Sequence, residues 1–243
     1  DNGRPVTGVA KCVYPCSSKY IVESKSIKLY FNSYNMTKIA DTKEKAIQSF
    51  EISASKDLSD LLETNVVVKF QDGDRVNKKF DSPNNEWDIE DYINVDLLED
   101  HKDFKYTQYS EDPGLLEGIQ RDKDIEQKFY SGLLKSNCRV TSQPDWGDVF
   151  IHIKSKTAID AHSIKNYVIS FRDECHFHEE ICECIYKRLK DAFEPSELLV
   201  MCLYARRGGI DINPVRASDS SLINLLADNL IDSKAIHIKT SKQ

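Results

Sequence analysis

The sequence predicts an α+β protein that contains two copies of one unit, in which strands and a pair of helices follow one another as β-β-α-α-β-β. Residues 26–34 and 163–171 share the pattern S-I-K-x-Y-x-x-S-aromatic. Each copy is followed by a second helical stretch and then by a β-rich stretch, and self-similarity of this kind sets the architecture of a chain. With 243 residues and 40% hydrophobic content, the chain can form one large domain or two modest ones.

Short-range patterns predict the elements of the first copy. β-branched and aromatic residues favour a strand over residues 9–22. Helical spacing then connects four apolar residues, Ile27, Tyr30, Phe31 and Tyr34. A second helix is predicted over residues 42–62 and a Val-rich buried strand over residues 64–70. Residues 87–97 are predicted to form the last strand of this unit.

The second copy begins after a long acidic stretch, within which residues 124–134 are predicted to form a helix. The elements predicted after it are a strand over residues 148–153, helices over 163–171 and 177–193, a strand over 198–204 and a terminal helix over 220–231. The predicted modules are therefore residues 1–110 and residues 111–243. The chain begins with Asp1 rather than Met, so we expect an N-terminal part of the first module to be missing.

Composition and charge exclude several classes of function. A net charge of −7 argues against a nucleic-acid-coating protein, because phosphate contacts need clustered Lys and Arg. The sequence contains no apolar run near the ~18 residues that cross a bilayer, and no signal-peptide pattern. The seven cysteines are odd in number and irregularly spaced, which favours a reducing cytoplasm over a disulfide framework. The roles of Cys12, Cys16 and Cys202 stay open.

The segment 137–147, N-C-R-V-T-S-Q-P-D-W-G, holds the main candidates for chemistry. Pro144 disfavours helix at the residue before it, so the segment must turn. The turn brings Cys138 and Asp145 towards one substrate. Thiols do covalent chemistry as thiolates, and carboxyl groups transfer protons. The alternative is that Cys138 is a small buried apolar residue, which is the commonest role of a lone cysteine.

Two further clusters carry polar side chains. His178 and Glu179 open a predicted helix and can face a ligand, or they can pack there and complement the helix dipole. His178 and Cys182 have the i, i+4 spacing of zinc ligands, although no paired C-x-x-C accompanies them. Arg207 and Gly208 belong to an R-R-G-G segment, in which Arg can bind phosphate and Gly lets it approach the backbone; an ordinary hairpin turn is the alternative.

Together, five motifs resemble one family. They are N-C-x-x-T-x-Q-P-D-W-G, E-S-K-S-x-K-L-Y, S-F-R, F-H-E and R-R-G-G-x-D-I-N-P. They look like those of the NADPH-dependent 7-cyano-7-deazaguanine reductases, the nitrile reductases of queuosine biosynthesis, in the subgroup with two modules. The resemblance extends over residues 22–216. It implies a tandem tunnelling fold (T-fold), with antiparallel sheets, paired helices on one face, and assembly into a homodimer or larger oligomer.

The resemblance also implies a role for each matching residue. Cys138 would be the nucleophile, Asp145 the proton donor, and His178 and Glu179 substrate contacts, with His178 also acting in the later proton transfers. The residues implied to hold the deazapurine are Val22, Glu23 and Ser24. The residues implied to hold NADPH are Ser24, Lys25, Arg207 and Gly208, to which we add Lys28. No metal, nucleic acid or membrane is expected. The other hypotheses are a zinc-dependent cyclohydrolase of the same fold and a purine-binding module without catalysis.

Overall fold

The computed structural model describes residues 8–34, 37–72, 91–100, 105–226 and 243. The chain divides into two compact units. The first comprises Asp1–Glu86, Gly208–Ile210 and Asn229–Ile238, and the second comprises Trp87–Arg207, Asp211–Asp228 and Lys239–Gln243. None of the helices in the described ranges is long and apolar enough to cross a membrane.

The first unit packs two helices on a two-stranded sheet. Its elements are β1 (Gly8–Val13), α1 (Ser24–Asn32), α2 (Lys43–Leu62) and β2 (Val67–Asp72). The strands β1 and β2 pair antiparallel, from Gly8 opposite Asp72 to Val13 opposite Val67. One stripe of α2 is buried against Val66 and Val68, and it consists of Phe50, Ala54, Leu58 and Leu62. The i, i+4 spacing of this stripe buries one face of the helix.

The second unit is built on a mixed sheet. Its elements are β3 (Ile93–Asn94), β4 (Gly118–Ser131), β5 (Lys135–Asn137), β6 (Pro144–Ile159), α3 (Ala161–Ser170), α4 (His178–Phe193), β7 (Glu197–Tyr204), β8 (Val215–Ala217) and α5 (Ser220–Leu226). The strand order is β3-β4-β6-β7-β8, and β5 pairs with β6 beside this path. Only β3 and β4 pair in parallel among these described strands.

One face of β6 and β7 carries the core and points towards α4. The buried cluster includes Val149, Ile151 and Ile153 of β6, Val200 and Cys202 of β7, and Ile181, Ile185 and Leu189 of α4. Because side chains alternate along a strand, Asp145 and Gly147 lie on the same face as Val149. The start of β6 therefore directs Asp145 to the side of the sheet that α4 covers.

Most predicted elements of the second copy are confirmed, and one is wrong. Residues 124–134 do not form a helix, because they belong to β4 and the loop after it. Ile125, Phe129 and Ser131 alternate inward, with charged residues between them, and pair with β6 from Ser155 to Val149. Pairing with a 16-residue partner strand decides this structure, and the local sequence does not show that partner.

Three other predicted elements have different bounds in the structure or are described only in part. The strand predicted over residues 9–22 ends at Val13. Of the strand predicted over residues 87–97, only Ile93–Asn94 is a strand, and it continues as a 3-10 turn over Val95–Leu97; residues 87–90 lie outside the described residues. The terminal helix is described over Ser220–Leu226, and residues 227–231 of that prediction also lie outside the described residues.

Candidate active site

Cys138 and Asp145 lie at the two ends of one tight β-hairpin loop. Strand β5 pairs antiparallel with the start of β6, with Ser136 opposite Asp145 and Asn137 opposite Pro144. Two backbone hydrogen bonds close the loop: Cys138 N–H donates to Gln143 O at 2.8 Å, and Ser142 N–H donates to Cys138 O at 2.8 Å. The turn predicted from Pro144 is thus confirmed.

The turn supplies donors to the sulfur of Cys138. The thiol is partly buried and reduced. Burial raises its pKa, but hydrogen bonds from the Thr141 hydroxyl and from the amides of Thr141 and Val140 outweigh burial, so that the pKa lies below its ordinary value. The charge of Asp145 acts in the opposite direction and raises the pKa of the thiol. The thiolate is therefore stabilised by its own loop.

Asp145 is a buried carboxylate that contacts a guanidinium and an imidazole. It is 3% exposed. The Arg207 guanidinium donates to its Oδ1, and His178 Nε2 lies 3.3 Å from the same oxygen. Burial raises the pKa of Asp145, but His178 and Arg207 outweigh it and hold the pKa below the ordinary value of 3.8. Arg207 also donates to the side chain of Gln143, which joins the carboxylate to the Cys138 turn.

His178 is the first residue of α4 and rests on an aromatic ring. The imidazole and the ring of Tyr204 have centroids 4.0 Å apart and planes inclined by 33°. The contact with Asp145 is within ion-pair distance, but the angle at Nε2 does not satisfy a hydrogen bond, so Nε2 stays without a hydrogen-bond partner in the described part of the chain. Stacking, rather than a hydrogen bond at Nε2, thus fixes the ring.

Arg139 joins the turn to the start of α4. Its guanidinium lies 3.0 Å from Glu180 Oε1, 3.1 Å from His176 Nδ1 and 5.3 Å from the centre of the Phe177 ring. Glu180 in turn accepts the Phe177 N–H at 2.8 Å and so caps the helix. The residue that follows the candidate nucleophile therefore contacts the segment that carries His178.

Glu179 lies in the first turn of α4 and is partly buried. Among the described residues, its carboxylate has no hydrogen-bond or ion-pair partner. Its charge contributes to raising the pKa of the Tyr204 hydroxyl. A carboxylate in this situation can accept hydrogen bonds from a ligand. Glu179 follows His178 in the chain, and the expectation that both residues face one ligand stays a prediction.

The remaining predicted substrate and cofactor residues belong mainly to the first unit. Val22 packs against the core of that unit. Glu23 caps α1, since its carboxylate accepts Lys25 N–H at 3.0 Å and Ser26 N–H at 2.7 Å. Ser24 is the first residue of that helix. The structure thus groups Cys138, Asp145, His178, Glu179 and Arg207 in the second unit, and it groups Val22, Glu23, Ser24, Lys25, Lys28 and Gly208 in the first.

Gly208 has a left-handed backbone and lies beside the ammonium group of Lys28. Its φ is +58°, in the left-handed region that favours glycine. A Cβ at this position would lie 2.7 Å from Lys28 Nζ. An ammonium group beside a glycine backbone can bind an anionic group. Arg207 contacts Asp145 and Gln143 here, and its side chain is 35% exposed.

His178 and Cys182, which have the spacing of zinc ligands, do not come together as a metal site in the described structure. Cys182 is buried, and its sulfur faces the carbonyl oxygens of Val200 and Pro214 at 3.6 and 3.5 Å. His178 instead faces Asp145. Across the described ranges, no three side chains of His, Cys, Asp or Glu form a group that could hold a metal ion. The i, i+4 spacing of His178 and Cys182 therefore does not place them on a common ligand.

Sequence reasoning missed Tyr204, Gln143 and Arg139. Tyr204 is fully buried, and its hydroxyl has no hydrogen-bond partner within the described residues. One signal was present: Gly147 interrupts a strand, and glycine in a strand often marks close approach of another group. A Cβ at Gly147 would lie 3.1 Å from Cδ1 of Tyr204. The contacts of Gln143 and Arg139 depend on residues more than 35 positions away and leave no local pattern.

Comparison with known proteins matches both halves of the chain to one family. The family described as "Nitrile reductase, 7-cyano-7-deazaguanine-reductase N-term" matches residues 1–70. The family described as "QueF-like protein" matches residues 144–221, which include Asp145, His178 and Arg207.

Individual relatives that match most of this chain carry the name of the same family. The NADPH-dependent 7-cyano-7-deazaguanine reductase of Colwellia psychrerythraea is 38% identical over 219 residues, which cover 89% of this chain and 72% of the relative. The protein with the same name from Psychrobacter cryohalolentis is 36% identical over 230 residues, with 92% and 76% covered. A solved structure, the apo form of the archaeosine synthase QueF-Like, is 20% identical, with a TM-score of 0.35 over 41% of this chain and 96% of that one.

Proposed function

The chain belongs to the family of NADPH-dependent 7-cyano-7-deazaguanine reductases, and we propose that it is itself such an oxidoreductase. It reduces the nitrile group of 7-cyano-7-deazaguanine to an aminomethyl group, with two NADPH and through a covalent thioimidate on Cys138. The observation that supports this most directly is the hairpin that joins a donor-stabilised thiol to a buried carboxylate, with His178 and Arg207 on that carboxylate.

Cys138 acts as the nucleophile. Its sulfur adds to the nitrile carbon, the C–S bond forms, and one π pair of the triple bond moves to nitrogen, which must take a proton. A thiol with an ordinary pKa of about 8.5 is roughly 3% thiolate at pH 7, so full ionisation gains about thirtyfold at most. Part of that gain is lost, because a less basic thiolate is a weaker nucleophile. Proton delivery, typically worth ~10²–10⁴-fold, is therefore the larger effect.

Asp145 delivers that proton. Because its pKa lies below the ordinary value, the carboxylate is ionised at neutral pH and must first take up a proton. The thiol of Cys138 can supply it, because Cys138 and Asp145 lie at the two ends of one hairpin loop. In the addition step the thiol proton passes to Asp145 and then to the nitrile nitrogen, so that protons and charge balance. His178, which faces the same carboxylate, assists protonation in the later steps.

Glu179 binds the guanine-like edge of the substrate. That edge presents ring N–H and exocyclic NH₂ donors, and a carboxylate accepts both in charge-assisted bonds worth about 1.5–3 kcal/mol each. The lack of another partner for Glu179 within the described residues supports this role. Val22, Glu23 and Ser24 complete the proposed substrate contacts. Glu23 caps its own helix, so it can serve the substrate only through carboxylate electron pairs that the cap leaves available.

NADPH is proposed to bind through Ser24, Lys25, Arg207 and Gly208, with Lys28. When bound, it supplies one hydride in each of the two reduction steps. The left-handed Gly208 and the adjacent Lys28 ammonium support a phosphate contact, as described above. The contribution of these side chains is to hold and orient the anionic groups of the dinucleotide.

The proposal extends to the fold, the module bounds and the assembly of the protein. We propose the T-fold, with modules over residues 1–110 and 111–243, and assembly into a homodimer or a larger homo-oligomer in the cytoplasm, without direct binding of nucleic acid. The recurrence of one order of elements supports two related modules. A strand, two helices and a strand follow one another as β1, α1, α2, β2 and again as β6, α3, α4, β7.

One mass-spectrometric experiment tests the covalent step. The protein is mixed with 7-cyano-7-deazaguanine without NADPH and should gain the mass of one substrate, with the label on Cys138. Cys138→Ala should gain none, whereas the matched control Cys175→Ala, at an exposed free cysteine, should label like the wild type. Absence of an adduct on the wild type would refute the thioimidate. Substrate-dependent loss of NADPH absorbance then separates an enzyme from a purine-binding module.

A further inference from the structure

Unsatisfied polar atoms gather around Asp145. Ser136 Oγ, His178 Nε2 and Tyr204 Oη are each buried and lack a hydrogen-bond partner in the part of the chain that the structure describes. Ser136 is the cross-strand neighbour of Asp145, and His178 faces its carboxylate. Buried polar groups are normally satisfied, so exceptions call for an explanation at the site where they occur. Of these three residues, Ser136 and Tyr204 have no role in the reaction proposed above, and Tyr204 is the one whose ring packs on His178.

The sheet is shaped to hold the ring of Tyr204. Tyr204 is the last residue of β7 and pairs with Gly147 of β6. A Cβ on Gly147 would lie 3.1 Å from Cδ1 and 3.2 Å from Cε1 of the ring, closer than side chains normally pack. The ring therefore occupies the space that a side chain at position 147 would fill. The His178 imidazole then lies on this ring, at a centroid distance of 4.0 Å.

The imidazole needs such a support. His178 is the first residue of α4, one turn before the buried stripe of that helix begins at Ile181 and Cys182. No hydrogen bond holds Nε2 among the described residues. Nε2 nevertheless lies 3.3 Å from Asp145, and packing on Tyr204 is the described contact that fixes the plane of the ring there. A side chain at a helix end that lacks this contact is free to change its rotamer.

We propose that Tyr204 is a positioning residue of the reaction: its ring, seated over Gly147, holds the imidazole of His178 against the carboxylate of Asp145. This inference rests on the proposed function, because it assigns Tyr204 to the proton transfers in which His178 takes part. The aromatic ring of Tyr204, and not its hydroxyl group, positions His178. Burial, followed by the nearby thiols and carboxylates, raises the pKa of the Tyr204 hydroxyl, so it stays protonated and is no proton acceptor at neutral pH.

The test compares ring-keeping and ring-removing variants. Tyr204→Leu should lower kcat for NADPH oxidation by roughly 10–100-fold with little change in KM, because a misplaced proton-transfer group costs about that much. The conservative variant Tyr204→Phe should restore kcat to within about threefold of wild type, since it keeps the ring. Both variants should still form the nitrile adduct on Cys138 without NADPH, because addition uses Cys138 and Asp145.

Epistasis with His178 separates positioning from general damage. In a His178→Ala background, Tyr204→Leu should cause no further loss, because residues that act through one another are not additive. A full additional loss in that background would overturn the proposal, as would wild-type kcat in Tyr204→Leu. If wild type itself formed no adduct, the proposed function would fail instead, and the two failures are therefore distinguishable.

Gly147→Ala provides an independent variant if Tyr204→Leu does not fold. The added Cβ must displace the Tyr204 ring by a few tenths of an ångström. We expect a smaller loss of kcat, about three- to tenfold, which disappears in the His178→Ala background. A Gly147→Ala loss that persists in that background would contradict the inference, because the crowded ring would then act by another route.

Discussion

Removing the cation on Asp145 should destabilise the protein only where that carboxylate is ionised. Arg207→Met takes away the guanidinium that donates to a carboxylate with 3% exposure. Breaking a fully buried ion pair costs about 3–5 kcal/mol. Arg207 is itself 35% exposed, and His178 remains 3.3 Å from the carboxylate. We therefore reduce this figure to about 1–3 kcal/mol at pH 7 to 8.

The loss should disappear in acid. The folded pKa of Asp145 lies below its ordinary value of 3.8, so ionised Asp145 contributes stability that is fully present above that value. This contribution is lost as the pH falls through the folded pKa, where the protonated carboxyl no longer needs a cation. The difference between wild type and Arg207→Met should thus be constant from pH 8 to about pH 5 and shrink below it.

Urea-unfolding midpoints measured from pH 8 to pH 3.5 provide the assay. Arg206→Met is the matched control, because Arg206 is the neighbouring arginine and lies 3.6 Å from Asp211, with 38% of its side chain exposed. The Asp211 side chain is 13% exposed, against 3% for Asp145, and the Arg206 pair is long, so we expect its loss to cost about 1 kcal/mol or less. The reasoning would be refuted if Arg207→Met lost no more stability than Arg206→Met, or if its loss persisted unchanged at pH 3.5.

Three other variants test individual contacts of the site. Asp145→Ala should still label Cys138 with the nitrile, but more slowly, because water must then supply the proton of the addition step, and NADPH turnover should fall by roughly 10²–10⁴-fold; full turnover would refute the acid role. Glu179→Gln should weaken substrate binding by about 1.5–3 kcal/mol in a calorimetric titration and leave NADPH binding unchanged, so an unaltered substrate affinity would count against the contact. Thr141→Val removes a hydroxyl that lowers the pKa of the Cys138 thiol, so iodoacetamide labelling of Cys138 should require a higher pH than in wild type; a superimposable pH profile would contradict the hydrogen bond.

Local signals predicted the parts of the structure that local forces decide. The helical spacing of Ile27, Tyr30 and Phe31 belongs to α1, and Pro144 marks the end of the loop that carries Cys138. These features depend on the side-chain periodicity of a helix and on the fixed φ of proline, which act over a few residues. For the same reason Cys138 and Asp145, seven positions apart, could be assigned to one turn.

Contacts between residues that are distant in the sequence could not be predicted from local patterns. The prediction of a helix over residues 124–134 is wrong because residues up to Ser131 pair with β6, which is distant in the sequence. The contact between Arg207 and Asp145 joins positions 62 apart, and the stack of Tyr204 on His178 joins a strand to a helix. The sequence therefore placed the candidate nucleophile and the candidate acid in one turn, but it did not predict that Arg207 contacts Asp145 or that Tyr204 packs on His178.

The contacts of Arg139 connect the Cys138 turn to the start of α4. This one side chain bridges the turn that bears the thiol to His176, Phe177 and Glu180 at the start of α4. Asp145 follows the same turn, and His178 begins the same helix. The Arg139 contacts therefore tie the segment of the carboxylate to the segment of the imidazole, in addition to the direct contact between the two groups.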